Sequence, residues 1–264
     1  MNTKLIADIT NYWDRQPCNI RHSKAEVGTV EFFTENANKR YFVEPHIKDL
    51  AQFKRYKNRR VLEIGCGLGA DGASYAQAGA DYFGVDLSKA SIELAEKRFE
   101  VLDLAGQFKV LDAANTKALS KLGEFDLVYS FGVIHHYPDT DKIIKNIHTA
   151  LRPGGDFRFM VYATNSWKHA MILSGLDQFE AQADCPYAKT YTPEEIREML
   201  EPEFDVISIK QTHCFMYNVA KYKQGIYELE PWFSAMSEKM RKAIRENLGW
   251  HLLVHAKKSK KLEK

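Results

Sequence analysis

Three groups of residues in this 264-residue chain have types and spacing that can do chemistry. The first is the run Val61-Leu62-Glu63-Ile64-Gly65-Cys66-Gly67-Leu68-Gly69-Ala70. Its glycines let the backbone turn sharply and let a ligand approach with no Cβ in the way. Gly65-x-Gly67-x-x-Ala70 fits the dinucleotide fingerprint. S-adenosylmethionine is bound by loops of the same kind, so the run alone does not separate that donor from a nicotinamide cofactor. The second group is Asp86, which ends Phe83-Gly84-Val85-Asp86-Leu87-Ser88. A carboxylate there accepts from both ribose hydroxyls, whichever nucleoside carries them. Ser88 is the better cap for the helix that follows, which leaves Asp86 for binding. The third group is His135-His136, just before Tyr137-Pro138-Asp139. A histidine beside a reacting hydroxyl serves as general base, worth roughly 10²–10⁴ in rate. Adjacent residues in a helical turn diverge by about 100°, so the two cannot face a substrate equally. His135 is preferred to His136 for that role. No third ligand stands at a readable spacing from the pair, so no metal is expected.

These residues need elements to hold them. From Arg60 onward, short apolar runs at 61–64, 82–85, 108–111, 125–129 and 157–162 alternate with helical stretches at 70–78, 88–101, 114–122 and 140–151. Such alternation specifies a parallel sheet with helices on both faces. Pro153-Gly154-Gly155 stops the last of these helices. Two later strands are expected at 205–209 and 250–255, with a helix at 233–247 between them. The expected fold is α/β, a doubly wound and mostly parallel seven-stranded sheet whose last strand is antiparallel. Residues 1–56 read as a helical cap, and 57–264 as the sheet domain with insertions at about 163–190 and 212–247. Tyr12-Trp13-Asp14-Arg15 and Asn19-Ile20-Arg21-His22 could form a lid over the ligand.

Taken in order, these motifs resemble the class I, Rossmann-like S-adenosylmethionine-dependent methyltransferases. Glu63-x-Gly65-x-Gly67-x-Gly69 looks like the family's first motif, Asp86 like its ribose acid, and Leu111-Asp112-Ala113 like its adenine-binding turn. Phe125-Asp126-Leu127-Val128-Tyr129-Ser130, Val133-Ile134-His135-His136-Tyr137-Pro138-Asp139 and Leu151-Arg152-Pro153-Gly154-Gly155 look like its later motifs. A dehydrogenase would not need the last three. The resemblance covers 61–162 and the final strands. It implies that Gly65 and Gly67 bring backbone groups to the methionine portion, and that Glu63 helps hold its ammonium. It implies further that Asp86 takes the ribose hydroxyls and that Leu87 packs on the adenine. Asp112 would accept from the exocyclic amine, Ala113 would donate to a ring nitrogen, and Ser130 would lie near the methionine. Within the family, a His-His-x-Pro-Asp run is common in small-molecule enzymes.

Composition narrows the acceptor. The net charge of +2 and the lack of a basic stripe argue against nucleic acid. No apolar run approaches the roughly 20 residues that span a bilayer, so no membrane partner is expected. Cys18, Cys66, Cys185 and Cys214 show no CxxC spacing and read as reduced thiols. The first residues lack an apolar core of signal type, so a cytoplasmic location is expected. The expected function is methyl transfer from S-adenosylmethionine to a small molecule, preferably at oxygen, where a histidine base has a purpose. The rivals are nitrogen or carbon methylation, a nicotinamide-dependent oxidoreductase, and a cofactor-binding protein without catalysis.

Overall fold

Alternate residues of each strand enter separate cores, so the sheet must be covered on both faces. Leu62 and Ile64 pack in one core with Ile143, Ile144 and Ile196, whereas Val61 packs in the other with Ala73, Tyr75 and Phe99. The computed structural model describes residues 3–179, 184–214 and 216–259. Its strands are β1 (Arg60–Ile64), β2 (Asp81–Asp86), β3 (Gln107–Val110), β4 (Phe125–Phe131), β5 (Leu151–Ala163), β6 (Thr190–Tyr191), β7 (Phe204–Thr212) and β8 (His251–Lys258). They order as β3-β2-β1-β4-β5-β8-β7, with β6 paired to β5. Only β8 runs antiparallel to its neighbours β5 and β7. The chain leaves β1 for β2 and β3 on one side, then crosses back to β4. The crevice beyond β1 and β4 is therefore the topological switch point, where α/β sheets bind ligands.

The helices flanking this crevice are α4 (Ala70–Gln77), α5 (Lys89–Val101) and α7 (Thr140–Ala150). Ser88 caps α5 by accepting from the Ser91 amide, as its position suggested. Two expectations shift. The strand after α7 starts at Leu151, and Pro153-Gly154-Gly155 lies within it, where the register with β4 slips. The helix expected at 233–247 begins at Glu238, because the Ser237 side chain caps it by accepting from the Met240 amide. Strand β6 lacks any sequence signal, being two residues long.

The N-terminal residues fold as α1 (Thr3–Arg15), α2 (Val30–Val43) and α3 (Ile47–Ala51). Asp14 of α1 accepts from the Ser88 hydroxyl at 2.8 Å and the Ala90 amide at 3.1 Å, which docks α1 on the start of α5. A second anchor joins the segment after α3 to the sheet. Asp156 accepts from the Tyr56 hydroxyl at 2.9 Å and lies 2.8 Å from His255 Nε2. Arg158 donates to Tyr56 and to the Leu50 carbonyl, both at 2.8 Å. Burial pushes the Asp156 carboxyl up, but the hydrogen bonds from His255 and Tyr56 outweigh it and hold the group below its usual range. Asp156→Ala strands two polar partners and is expected to cost about 2–4 kcal/mol near neutral pH. A depressed carboxyl stabilises the fold above the unfolded value of about 3.9 and loses that contribution as pH falls through the folded value. Urea midpoints of the two proteins should therefore converge in acid. Among the described residues, no helix is long and apolar enough to cross a membrane.

Candidate functional site

The switch-point cavity is shaped first by the glycine loop. The Gly65 and Cys66 amides both donate to the Val85 carbonyl, at 2.7 and 3.1 Å, which ties the loop to β2. Gly65 has φ +74°, and a Cβ there would meet Val133 at 2.3 Å. Its lack of a side chain serves the close approach of the loop after β4. Gly67, at φ +50°, is different, because a Cβ there would meet nothing within 4 Å. Backbone in the left-handed region facing open space is a cradle for a ligand. Asp86 braces this cradle by accepting from the Gly67 and Ser88 amides, both at 2.9 Å. Each of its oxygens keeps a further lone pair.

Four carboxylates line the cavity, Glu63, Asp71, Asp86 and Asp112, against one guanidinium, Arg40. Glu63 is buried and accepts from the Tyr82 hydroxyl at 2.6 Å. Burial, then the nearby Asp71 charge, pushes its carboxyl well above the usual range. Burial raises the Asp86 carboxyl too. Asp71 accepts from Arg40 Nη2 at 2.8 Å and from the Tyr41 and Tyr129 hydroxyls at 3.0 Å. Asp112 accepts from the Ala114 amide at 2.8 Å and the Tyr137 hydroxyl at 2.9 Å. Beside it, Ala113, Leu87 and Ile143 supply an apolar slot. Buried acid in excess favours a ligand with positive charge. A sulfonium and an ammonium suit these walls, whereas a pyrophosphate would lie among carboxylates with no lysine to offset them.

The histidine pair divides. His136 sits on the cavity wall, with its Nδ1 2.8 Å from the Tyr187 carbonyl. A carbonyl only accepts, so Nδ1 carries the proton and Nε2 is the basic nitrogen. Trp13 of α1 packs edge-on against the ring at 5.4 Å. His135 lies behind, fully buried, with its ring centroid 3.9 Å from that of Tyr162. Among the described residues, neither of its ring nitrogens has a hydrogen-bond partner. Burial, reinforced by His136, holds it neutral. His135→Phe is therefore expected to leave stability unchanged or raise it by up to about 1–3 kcal/mol, the penalty of unpaired polar atoms. Chemical denaturation measures this, and a marked loss would reveal a polar partner for the imidazole.

Glu63, Gly65, Gly67, Asp86, Leu87, Asp112, Ala113 and His136 thus share one cavity. Ser130 does not line it; its hydroxyl donates to the Ile64 carbonyl at 3.0 Å and pins the end of β1 to β4. His135 stays outside as well. Arg40 and Asp71 are cavity residues that the motifs did not single out, and Trp13 and Asn19 join them from the N-terminal clusters. A second chamber of about 360 Å³ shares Trp13, Asn19, Arg40, Phe131 and Gly132 with the first. Its other walls include Tyr162, Phe179, Tyr222, Tyr227 and Trp250. Among the described residues, Arg21, Lys24, Lys39, Arg40, Lys168 and Lys223 line it against one acid, Glu44.

Comparison with known proteins agrees with this geometry. A family model described as "Methyltransferase domain" matches residues 62–157. A ubiquinone biosynthesis O-methyltransferase of Ralstonia nicotianae is 25% identical over 66% of this chain and 79% of its own length. Its namesake in Acinetobacter baylyi is 30% identical over 45% of this chain, which spans half that relative's length. The magnesium protoporphyrin IX methyltransferase of Synechocystis, solved with bound SAH, shares the fold at TM-score 0.62 and 17% identity, over 97% of this chain and 100% of that one. With the acid-lined cavity at the switch point and the single antiparallel strand, these likenesses show a methyltransferase domain over residues 62–157 and the fold of the class I, Rossmann-like S-adenosylmethionine-dependent enzymes.

Proposed function

We propose that this enzyme methylates a hydroxyl oxygen of a small aromatic acceptor that bears negative charge. The observation that carries this reading is the second chamber, which joins the cofactor cavity and is walled, among the described residues, by aromatic rings and six basic side chains, of which Arg40 and Lys168 are held in ion pairs by Asp71 and Asp177, leaving Arg21, Lys24, Lys39 and Lys223 to set its charge. The O-methyltransferase names of the Ralstonia and Acinetobacter relatives support oxygen as the acceptor atom.

S-adenosylmethionine supplies a methyl group on a sulfonium, which needs no further activation. In this reading Asp86 holds the ribose hydroxyls and Asp112 the exocyclic amine. Ala113 donates to the adenine ring, and Leu87 packs on its face. Glu63 and Asp71 face the ammonium, and the Gly65–Gly67 backbone lies along the methionine portion. Alignment of oxygen, methyl carbon and sulfur contributes roughly 7–11 kcal/mol. The acceptor's proton passes to His136 Nε2 as the oxygen forms the C–O bond and the C–S bond breaks. Trp13, packed on the base and shared by both chambers, keeps water from that line.

The test is a panel of hydroxylated aromatic acids, their uncharged counterparts and matched amines, with a ¹³C-methyl donor and NMR detection. Methyl ethers are expected, with the acids turned over at lower KM than the uncharged phenols. Methylated amines or carbon would overturn the oxygen assignment. Equal KM for acids and neutral phenols would remove the charge assignment.

A further inference from the structure

Three side chains outside the cofactor cavity converge from distant parts of the chain. Glu44 follows α2, His46 precedes α3, and Pro45 between them fixes the turn. His251 opens β8, 205 positions after His46. Nevertheless His46 Nε2 lies 2.9 Å from His251 Nδ1, and Glu44 Oε1 lies 3.9 Å from the same nitrogen. The three ligand atoms all fall within 4.8 Å of one another. Glu44 and His251 line the second chamber. A third imidazole, His213, packs with ring centroids 5.1 Å from His46 and 4.5 Å from His251.

We propose that Glu44, His46 and His251 hold a divalent transition-metal ion in the wall of the second chamber, with an open coordination position toward the space the acceptor enters. Two neutral imidazoles facing each other can share only one proton, so one lone pair must serve as the other's acceptor. A cation in that place engages both lone pairs. At ordinary metal–nitrogen distances of about 2.0–2.1 Å, nitrogens 2.9 Å apart subtend about 90°, a normal cis arrangement. Glu44 is oriented for the same point, because Arg40 holds its Oε2 at 3.4 Å and leaves Oε1 turned toward His251. Outer partners of this kind fix a ligating carboxylate.

Two imidazoles with one carboxylate suit zinc, iron or cobalt rather than magnesium or calcium, which prefer oxygen. In the chamber, such an ion would hold the acceptor oxygen in its anionic form. That role rests on the O-methylation reading; binding of the ion does not.

The test uses the full chain, stripped with chelator, desalted, and titrated with Co²⁺ by visible absorption and with Zn²⁺ by calorimetry. One ion per chain is expected, with Co²⁺ ligand-field bands that Zn²⁺ abolishes. His46→Ala and His251→Ala should each weaken binding by at least about 10–100-fold. Glu44→Gln should weaken it by about tenfold. SAH affinity in each variant reports that the neighbouring cavity is still folded. X-ray absorption of the zinc-loaded wild type needs no variant and should show two imidazole ligands. No stoichiometric binding, affinity unchanged in all three variants, or a spectrum without imidazole would each overturn the site. These readouts involve no acceptor, so failure of the site and failure of the O-methylation reading are told apart.

Discussion

His136→Asn is expected to lower kcat for a hydroxyl acceptor by about 10²–10⁴ while leaving SAH affinity nearly unchanged. Asparagine is the informative replacement, because its amide can still donate toward the Tyr187 carbonyl that holds Nδ1 at 2.8 Å. The position stays tethered and only the basic nitrogen is lost. A structural role for His136 would then survive the change, and a proton-accepting role would not. The acceptor supplies a second control. A phenol already ionised at the assay pH needs no base, so its turnover should fall only slightly in the variant. Wild-type kcat for a non-ionised phenol should rise with pH to a plateau, and the variant should lose that plateau. If both acceptors suffer equally, His136 positions rather than deprotonates. If neither suffers, proton removal lies elsewhere in the chamber. His135 offers no substitute, since its ring lines neither chamber.

The residues that were legible in the sequence are those whose role follows from local chain geometry. Strand–helix periodicity placed β1 and β2, and with them the cavity residues that hang on their carboxyl ends: Glu63, the glycines and Asp86. The choice between His135 and His136 was not local. Both lie in the short 3₁₀ turn Ile134–His136, and which ring reaches the cavity depends on Tyr162 and the Tyr187 carbonyl, from β5 and the insertion. Ser130 lies outside the cavity lining for a related reason. Strand alternation gives its side chain a face, but only the packed sheet shows Ile64 taking the hydroxyl. Arg40–Asp71 and Glu44–His46–His251 were invisible because each pairs residues that no periodicity links. Their one local trace is Glu44-Pro45-His46, a turn with two chemically able side chains.

Asp86→Ala is expected to weaken SAH by about 100–1000-fold. Hydrogen bonds to a charged group contribute about 1.5–3 kcal/mol each, and two ribose hydroxyls at the lower end of that range give some 3–4 kcal/mol, with about 1.4 kcal/mol per tenfold. The site makes the carboxylate costly to keep. Burial raises its pKa, and the Ser88, Gly67 and Leu87 amides, with a bound hydroxyl pair, offset that cost in part. The same contacts give the substitution a second route to its effect. Without Asp86, the Gly67 amide loses its partner and the cradle over open space can relax. Ligand editing separates the routes. An SAH analogue lacking both ribose hydroxyls should bind wild type about as weakly as Asp86→Ala binds SAH, and the variant should not distinguish the two ligands. A further loss for that analogue in the variant would locate the effect in the loop. SAH binding by the variant within tenfold of wild type would remove Asp86 from ribose recognition, and with it the residue on which both cofactor readings of the glycine loop depended.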